Sequence, residues 1–200
     1  MSHPPTLGCV LAGGASRRMG RDKAAIALAG RPLIAHVVER LQPQCAALMI
    51  AGPAAAPALA ASGLAVLDDV VAGGLGPLAG VLTALRHGDA EGFAWVVTTP
   101  VDTPFLPADL VARLHAARDD AAIVQAASGE QVHHVTALWS TALAAELEIA
   151  LVRAGVRRVE AFAARHRTAR AWWPATPADP FANVNTPADL ARAEIRLDRA

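Results

Sequence analysis

Short apolar runs and stretches of helical spacing take turns along this chain. Leu7 to Ala12 is apolar apart from one glycine and is closed by Gly13 and Gly14, which reads as a buried strand entering a turn. Pro32 to Leu41 then places Leu33, Val37, Val38 and Leu41 at helical spacing, so a strand, a loop and a helix open the fold. Apolar runs at Ala46 to Ala51, Leu64 to Leu67, Ala94 to Thr98 and Ala122 to Ala126 alternate with helical stretches at Ala54 to Ser62, Leu78 to His87 and Pro107 to Ala117. Such alternation predicts an α/β fold, three-layered and Rossmann-like, with a mostly parallel central sheet covered on both faces. Beyond Gly129 the pattern loosens into a strand at Val135 to Leu138, helices at Thr141 to Arg153 and Val156 to Arg165, and a last strand at Ala169 to Trp173. The terminal helix has a marked start, with Thr186 as N-cap, Pro187 in the first turn and Asp189 as the acid of a capping box.

Composition narrows the reading. A chain of 200 residues with 54% hydrophobic content suits one core, and 1–200 is taken as a single domain. The formal net charge is +0 and only 18% of residues are charged, so there is no broad field to gather nucleic acid or an anionic membrane. Cys9 and Cys45 have neither metal-ligand nor C-x-x-C spacing, and no run approaches a membrane span or an export leader. The expectation is a cytoplasmic protein with reduced, buried thiols.

Chemistry concentrates in the segment from Leu11, Ala12, Gly13 and Gly14 through Arg17, Arg18 and Arg21 to Lys23, directly after the first strand. Glycines let a backbone approach a ligand with its N–H donors exposed, and clustered cations neutralise an anionic triphosphate. Gly13 and Gly14 alone would read equally as an ordinary strand-to-helix turn. Spacing excludes a P-loop, because Met19 stands where the second glycine should, and G-x-G-x-x-G is absent here. A second block, Thr99-Pro-Val-Asp102-Thr-Pro104, lies where an apolar strand gives way to a loop, the usual place for ligands in an open parallel sheet. Magnesium takes one or two carboxylates and fills its other positions with water and phosphates, so Asp102 facing a triphosphate suffices as metal ligand. By itself Asp102 could only cap a turn; the basic glycine loop on another strand end tips the reading toward a metal.

The glycine loop resembles that of the molybdenum cofactor guanylyltransferases, within the wider group of glycine-loop nucleotidyltransferases. Three later blocks agree in order and spacing: Asp68-Asp69 with Gly76-Pro-Leu-Ala-Gly80, then Val101-Asp-Thr-Pro104, then Asn183-Val-Asn-Thr-Pro187-Ala-Asp189. The resemblance covers nearly the whole chain. It implies a nucleotidyltransferase fold, Mg2+ held by Asp102, GTP as substrate bound by the N-terminal part, and molybdenum-molybdopterin as acceptor bound by the C-terminal part. Transient contact with a molybdoenzyme or a cofactor-delivery protein would follow. Related guanylyltransferases can carry asparagine near Ala51, so base recognition there would pass through backbone groups. His133 matches the histidine of a His-Pro segment, although His134 replaces the proline.

Several residues keep two readings. Asp69 could accept hydrogen bonds from the N1 and N2 donors of a guanine edge or serve as a turn residue beside Asp68. Gly76 and Gly80 could admit a base or ribose against backbone or allow close helix packing. The resemblance puts Asn183 and Asn185 near the acceptor, yet Asn before a helix often only satisfies backbone groups. His87, His115 and the four tryptophans are read as core or surface, with Trp173 a candidate to cover a ring. Arg18 and Lys23 would contact the triphosphate and the loop amides the departing pyrophosphate. An acceptor phosphate already ionised at neutral pH needs positioning and neutralisation more than a general base. The rivals are a CTP-dependent molybdopterin cytidylyltransferase, a sugar-phosphate nucleotidyltransferase, and a nucleotide-binding domain without turnover.

Overall fold

A computed structural model of the protein describes residues 3–13 and 23–198. The glycine-loop residues Gly14, Arg17, Arg18 and Arg21 lie outside these described residues. In chain order the strands are β1 (Leu7–Leu11), β2 (Ala27–Leu28), β3 (Arg31–Pro32), β4 (Ala47–Ala51), β5 (Ala65–Leu67), β6 (Trp95–Pro100), β7 (Ile123–Ser128), β8 (Gln131–Ser140) and β9 (Thr168–Trp173). The helices are α1 (Leu33–Leu41), α2 (Pro57–Ala60), α3 (Pro77–Ala90), α4 (Leu110–Ala116), α5 (Ala144–Val152), α6 (Val159–Ala163) and α7 (Pro187–Asp198).

The central sheet has seven strands in the order β5-β4-β1-β6-β8-β7-β9, and β8 alone runs against the rest. Both faces are buried, and side chains divide between them with the period of two that a strand imposes. Leu7, Cys9 and Leu11 of β1 join the core formed with α3, α5 and α6, whereas Val10 joins the core formed with α1, α2 and α4. The third cluster seats α7 on β2 and β3 through Ile26, Leu28, Leu33, Phe105, Val184 and Ala193. These three layers are those expected from the alternation of strands and helices.

Local departures have physical causes. The helix expected over Ala54 to Ser62 contracts to α2, because Pro57 can only begin a helix and the alanines before it offer no apolar stripe. The helix from Thr141 opens as a 3-10 turn before α5, and the one from Val156 begins only at Val159. Cys9 is buried, but Cys45 is only half-buried, against expectation; both thiols are free, and desolvation pushes each up to about 12. Trp139 is fully enclosed and its indole donates to Thr98 Oγ1 at 2.9 Å, pinning β8 to β6.

Gly88 marks the closest approach of α3 to the sheet. A Cβ there would meet Val96 Cγ2 at 2.8 Å, Thr141 Cγ2 at 3.3 Å and Leu7 Cδ2 at 3.4 Å. Gly88→Ala is expected to destabilise the fold by about 1–3 kcal/mol, the usual cost of overpacking. Urea unfolding would check this, and an unchanged midpoint would mean that α3 can lift off the sheet freely.

Candidate active site

In an open parallel sheet, ligands settle beyond the carboxyl ends of the strands where the strand order reverses. Here the chain runs outward from β1 to β4 and β5, then returns to place β6 on the other side of β1. The reversal therefore lies between β1 and β6. Val101 N donates to Leu11 O at 3.1 Å, which joins the loop after β6 to the end of β1. Thr103 Oγ1 donates to Pro100 O at 2.9 Å and closes the turn that presents Asp102.

Asp102 is only 7% exposed. Lys23 Nζ, from the 3-10 turn Lys23–Ala25, lies 2.8 Å from Asp102 Oδ2 and also donates to Asn185 Oδ1. Val184 N donates to the Asp102 carbonyl at 2.9 Å, so the segment of Asn183 and Asn185 is tied to Asp102 by its backbone as well. The capping box closes as expected: Asp189 N donates to Thr186 Oγ1 at 3.2 Å, while Asp189 Oδ2 accepts from Thr186 N at 2.8 Å and Asn185 N at 3.1 Å. The Thr186 hydroxyl also donates to Asp189 Oδ2 at 2.8 Å, and the bonds to this carboxylate depress its pKa, the hydroxyl's first among them.

The second carboxylate oxygen of Asp102, Oδ1, is buried and has no hydrogen-bond partner among the described residues. Leaving such an atom unsatisfied costs about 1–3 kcal/mol or more, a cost that a ligand or ion at that point would remove. Among the described residues no group of three or more His, Cys, Asp or Glu could hold a metal by itself. The donors suit a hard cation that arrives with phosphate oxygens, as magnesium does, and do not suit a cage made of protein alone.

On the other side of β1, Asp69 lies close to Gly13 and Gly80. A Cβ on Gly13 would stand 3.8 Å from Asp69 Oδ2, and one on Gly80 would stand 3.7 Å from Asp69 Oδ1, 3.5 Å from Ala51 Cβ and 3.0 Å from Leu11 Cδ2. Asp68 and Asp69 thus part company. Asp68 Oδ1 accepts from Ala54 N at 3.1 Å as a turn residue, while Asp69 Oδ1 is buried without a partner among the described residues. Burial first and the neighbouring Asp68 second raise the Asp69 pKa. The Ala51 carbonyl is already engaged by Ala12 N at 2.8 Å, and its methyl group is buried against Gly80. Gly76 immediately precedes α3 at φ +81, a left-handed conformation that favours glycine.

A cleft of about 440 Å³ opens from Asp102 toward β8 and is also lined by Asn183, His133, Thr136, Arg157 and Arg158. His133 thus shares one cleft with Asp102 and Asn183. Burial holds its pKa below the ordinary histidine value, with Asp179 pulling the other way. Arg157 and Arg158 were hidden within the expected helix from Val156; since α6 starts at Val159, they belong to the loop before it. The consecutive pair of arginines was their only sequence signal. Trp173 does not cover a ring in the cleft: it is buried, edge-on to Phe181 at 5.2 Å, with its indole donating to Asp109 Oδ1 at 2.8 Å.

Residues 8–171 match the family described as the MobA-like NTP transferase domain. A molybdenum cofactor guanylyltransferase of Rhodopseudomonas palustris (strain BisB5) is 46% identical over 200 residues, covering 96% of this chain and 94% of the relative. One from Cereibacter sphaeroides is 48% identical over 191 residues, covering 95% and 96%. Among solved structures, molybdopterin-guanine dinucleotide biosynthesis protein A from Archaeoglobus fulgidus superposes with a TM-score of 0.77 at 26% identity, over 97% of this chain and 100% of that one.

Proposed function

Because the chain belongs to the MobA-like NTP transferase domain family, we propose that it transfers GMP from GTP to the terminal phosphate of molybdenum-molybdopterin, forming molybdopterin guanine dinucleotide and releasing pyrophosphate. The observation that carries this reading is the buried oxygen of Asp102, without a partner among the described residues, set beside Lys23 and Asn185 on the long cleft. The names borne by near-full-length relatives supply the nucleotide and the acceptor.

In this reading 1–200 acts as one domain. Leu11, Ala12, Gly13, Gly14, Ala51, Gly76 and Gly80 shape the GTP side, with Asp69 reading the guanine edge, while Asn183, Asn185 and His133 serve the acceptor side. Asp102 would hold Mg2+, which would supply positive charge to offset that of the phosphates. Lys23 leaves its resting contact with Asp102 and Asn185 to neutralise the triphosphate, joined by Arg18. An oxygen of the acceptor phosphate attacks the α-phosphorus of GTP, a new P–O bond forms, and the bond to the β-phosphate oxygen breaks with its electron pair leaving on pyrophosphate. The attacking phosphate is already anionic, so no protein base is required and the residues act by orientation and charge. No helix among the described residues is long and apolar enough to cross a membrane, and we place the reaction in the cytoplasm, with a molybdoenzyme or delivery protein taking the product by transient contact.

The test is pyrophosphate release with magnesium and molybdenum-loaded molybdopterin, comparing GTP, CTP, ATP and UTP. Release with GTP alone is the expected result. Release with CTP would move the chain to the cytidylyl activity, and GTP binding with no release from any of the four would leave a non-catalytic nucleotide-binding domain.

A further inference from the structure

The wall of the cleft opposite Asp102 contains hydrogen bonds whose direction can be fixed. Ser128, buried at the end of β7, lies with its Oγ 2.8 Å from Asp179 Oδ1 and 2.7 Å from His133 Nε2. A serine hydroxyl has one proton to give, and an ionised carboxylate can only accept. The Ser128 proton is therefore spent on Asp179, and the contact with His133 is a hydrogen bond only when Nε2 carries a proton and donates it.

Asp179 cannot easily turn to change this arrangement. Its Oδ1 also accepts from Phe181 N at 2.9 Å, and its carbonyl accepts from Arg196 Nη1 at 2.6 Å. Phe181 in turn packs on the His133 ring, with centroids 4.7 Å apart. With its pKa held below the ordinary value, His133 is neutral at pH 7 and carries a single ring proton. That proton sits on Nε2, so Nδ1 is left with a bare lone pair. Nδ1 makes no hydrogen bond within the described residues, and it is not among the enclosed atoms that lack a partner. It is thus an acceptor left over among the described residues, on a ring that lines the cleft.

We propose that Ser128 and Asp179 are positioning residues that lock His133 in its Nε2–H form, so that Nδ1 accepts a hydrogen bond from an N–H of the acceptor's heterocycle. The identity of that acceptor rests on the guanylyl-transfer reading, in which a pterin supplies N–H donors on its amino-pyrimidinone edge. A guanine base carries similar donors, but Asp69 follows β5, on the opposite side of β1 from β8. The acceptor half of the site is the one His133 faces.

Nitrogen-15 spectra of the histidine rings in the full-length protein test this directly, with the His133 signals identified by their loss in His133→Gln. The expected result is a protonated Nε2 and a bare Nδ1 in the free protein, with Nδ1 shifting on addition of molybdopterin and staying put on addition of GTP. In kinetics, His133→Leu should raise KM for molybdopterin about tenfold or more and leave KM for GTP nearly unchanged, as expected for one lost hydrogen bond. His133→Asn, whose Oδ1 can take the place of Nδ1, should recover most of that loss, and Ser128→Ala should reproduce part of it. A proton on Nδ1 in the wild-type spectrum, or an Nδ1 that ignores molybdopterin while the enzyme transfers GMP, overturns the inference and leaves the guanylyl-transfer reading intact. Wild-type protein that transfers no GMP overturns that reading, and the acceptor assigned to His133 goes with it.

Discussion

Asp102→Ala is expected to lower turnover about 100- to 1,000-fold, the usual cost of removing a group aimed at transition-state charge. The fold should barely notice. The Asp102 side chain contributes one ion pair with Lys23, whose ammonium keeps part of its solvation and a second partner in Asn185. Against that pair stands the penalty of Oδ1, which is buried with no partner among the described residues, so the two changes offset each other in the free protein. The turn itself is held by backbone and hydroxyl bonds that the substitution leaves in place: Val101 N to Leu11 O, Val184 N to Asp102 O and Thr103 Oγ1 to Pro100 O. Pyrophosphate release and thermal unfolding should therefore diverge, with activity nearly lost and the unfolding temperature within a few degrees of wild type. Near-normal turnover would remove Asp102 from the role of magnesium anchor. A large fall in unfolding temperature would instead make it a structural residue.

What could be read from the chain follows the range of the interactions involved. The division of β1 between two cores was legible because Leu7, Cys9, Val10 and Leu11 give an apolar run interrupted only by Gly8, as a strand covered on both faces requires. The capping box was legible because its partners, Thr186 and Asp189, are three residues apart. The first half of β8 was not: Gln131, His133 and His134 are polar and line a cleft, and this half is a strand because it pairs with the end of β7, while the second half, Thr136 to Trp139, is buried. Asn185 was legible as a residue beside the site through resemblance alone. Its hydrogen bond to Lys23 joins the two ends of the chain, a contact fixed by how α7 folds back over β2 and β3. Ser128 and Asp179 carried no signal for the same reason, since a serine at a strand end and an aspartate in a loop usually serve only their own turns.

Asp69→Asn is expected to lower kcat/KM for GTP by about 100-fold and to weaken discrimination against other bases, because sites that read a base through buried hydrogen bonds lose that selectivity when one partner changes. The effect should be large in this chain because Ala51 and Gly80, packed beside Asp69, bring no side-chain hydrogen-bonding group of their own. The free protein should respond in the opposite sense. An acid whose folded pKa lies above its unfolded value supports the fold at pH below the unfolded value and loses that contribution as pH rises through the raised one. Burial and Asp68 raise the Asp69 pKa, so at neutral pH its charge costs stability, and the neutral amide should unfold no earlier than wild type. Two N–H donors of a guanine edge would stabilise the ionised form, so GTP affinity should fall as pH drops through the raised pKa and follow no such course in Asp69→Asn. Binding measured by calorimetry between mildly acidic and neutral pH would distinguish the cases. A variant that keeps wild-type preference for GTP over ATP would place base recognition elsewhere and leave Asp69 as a turn residue with a buried charge.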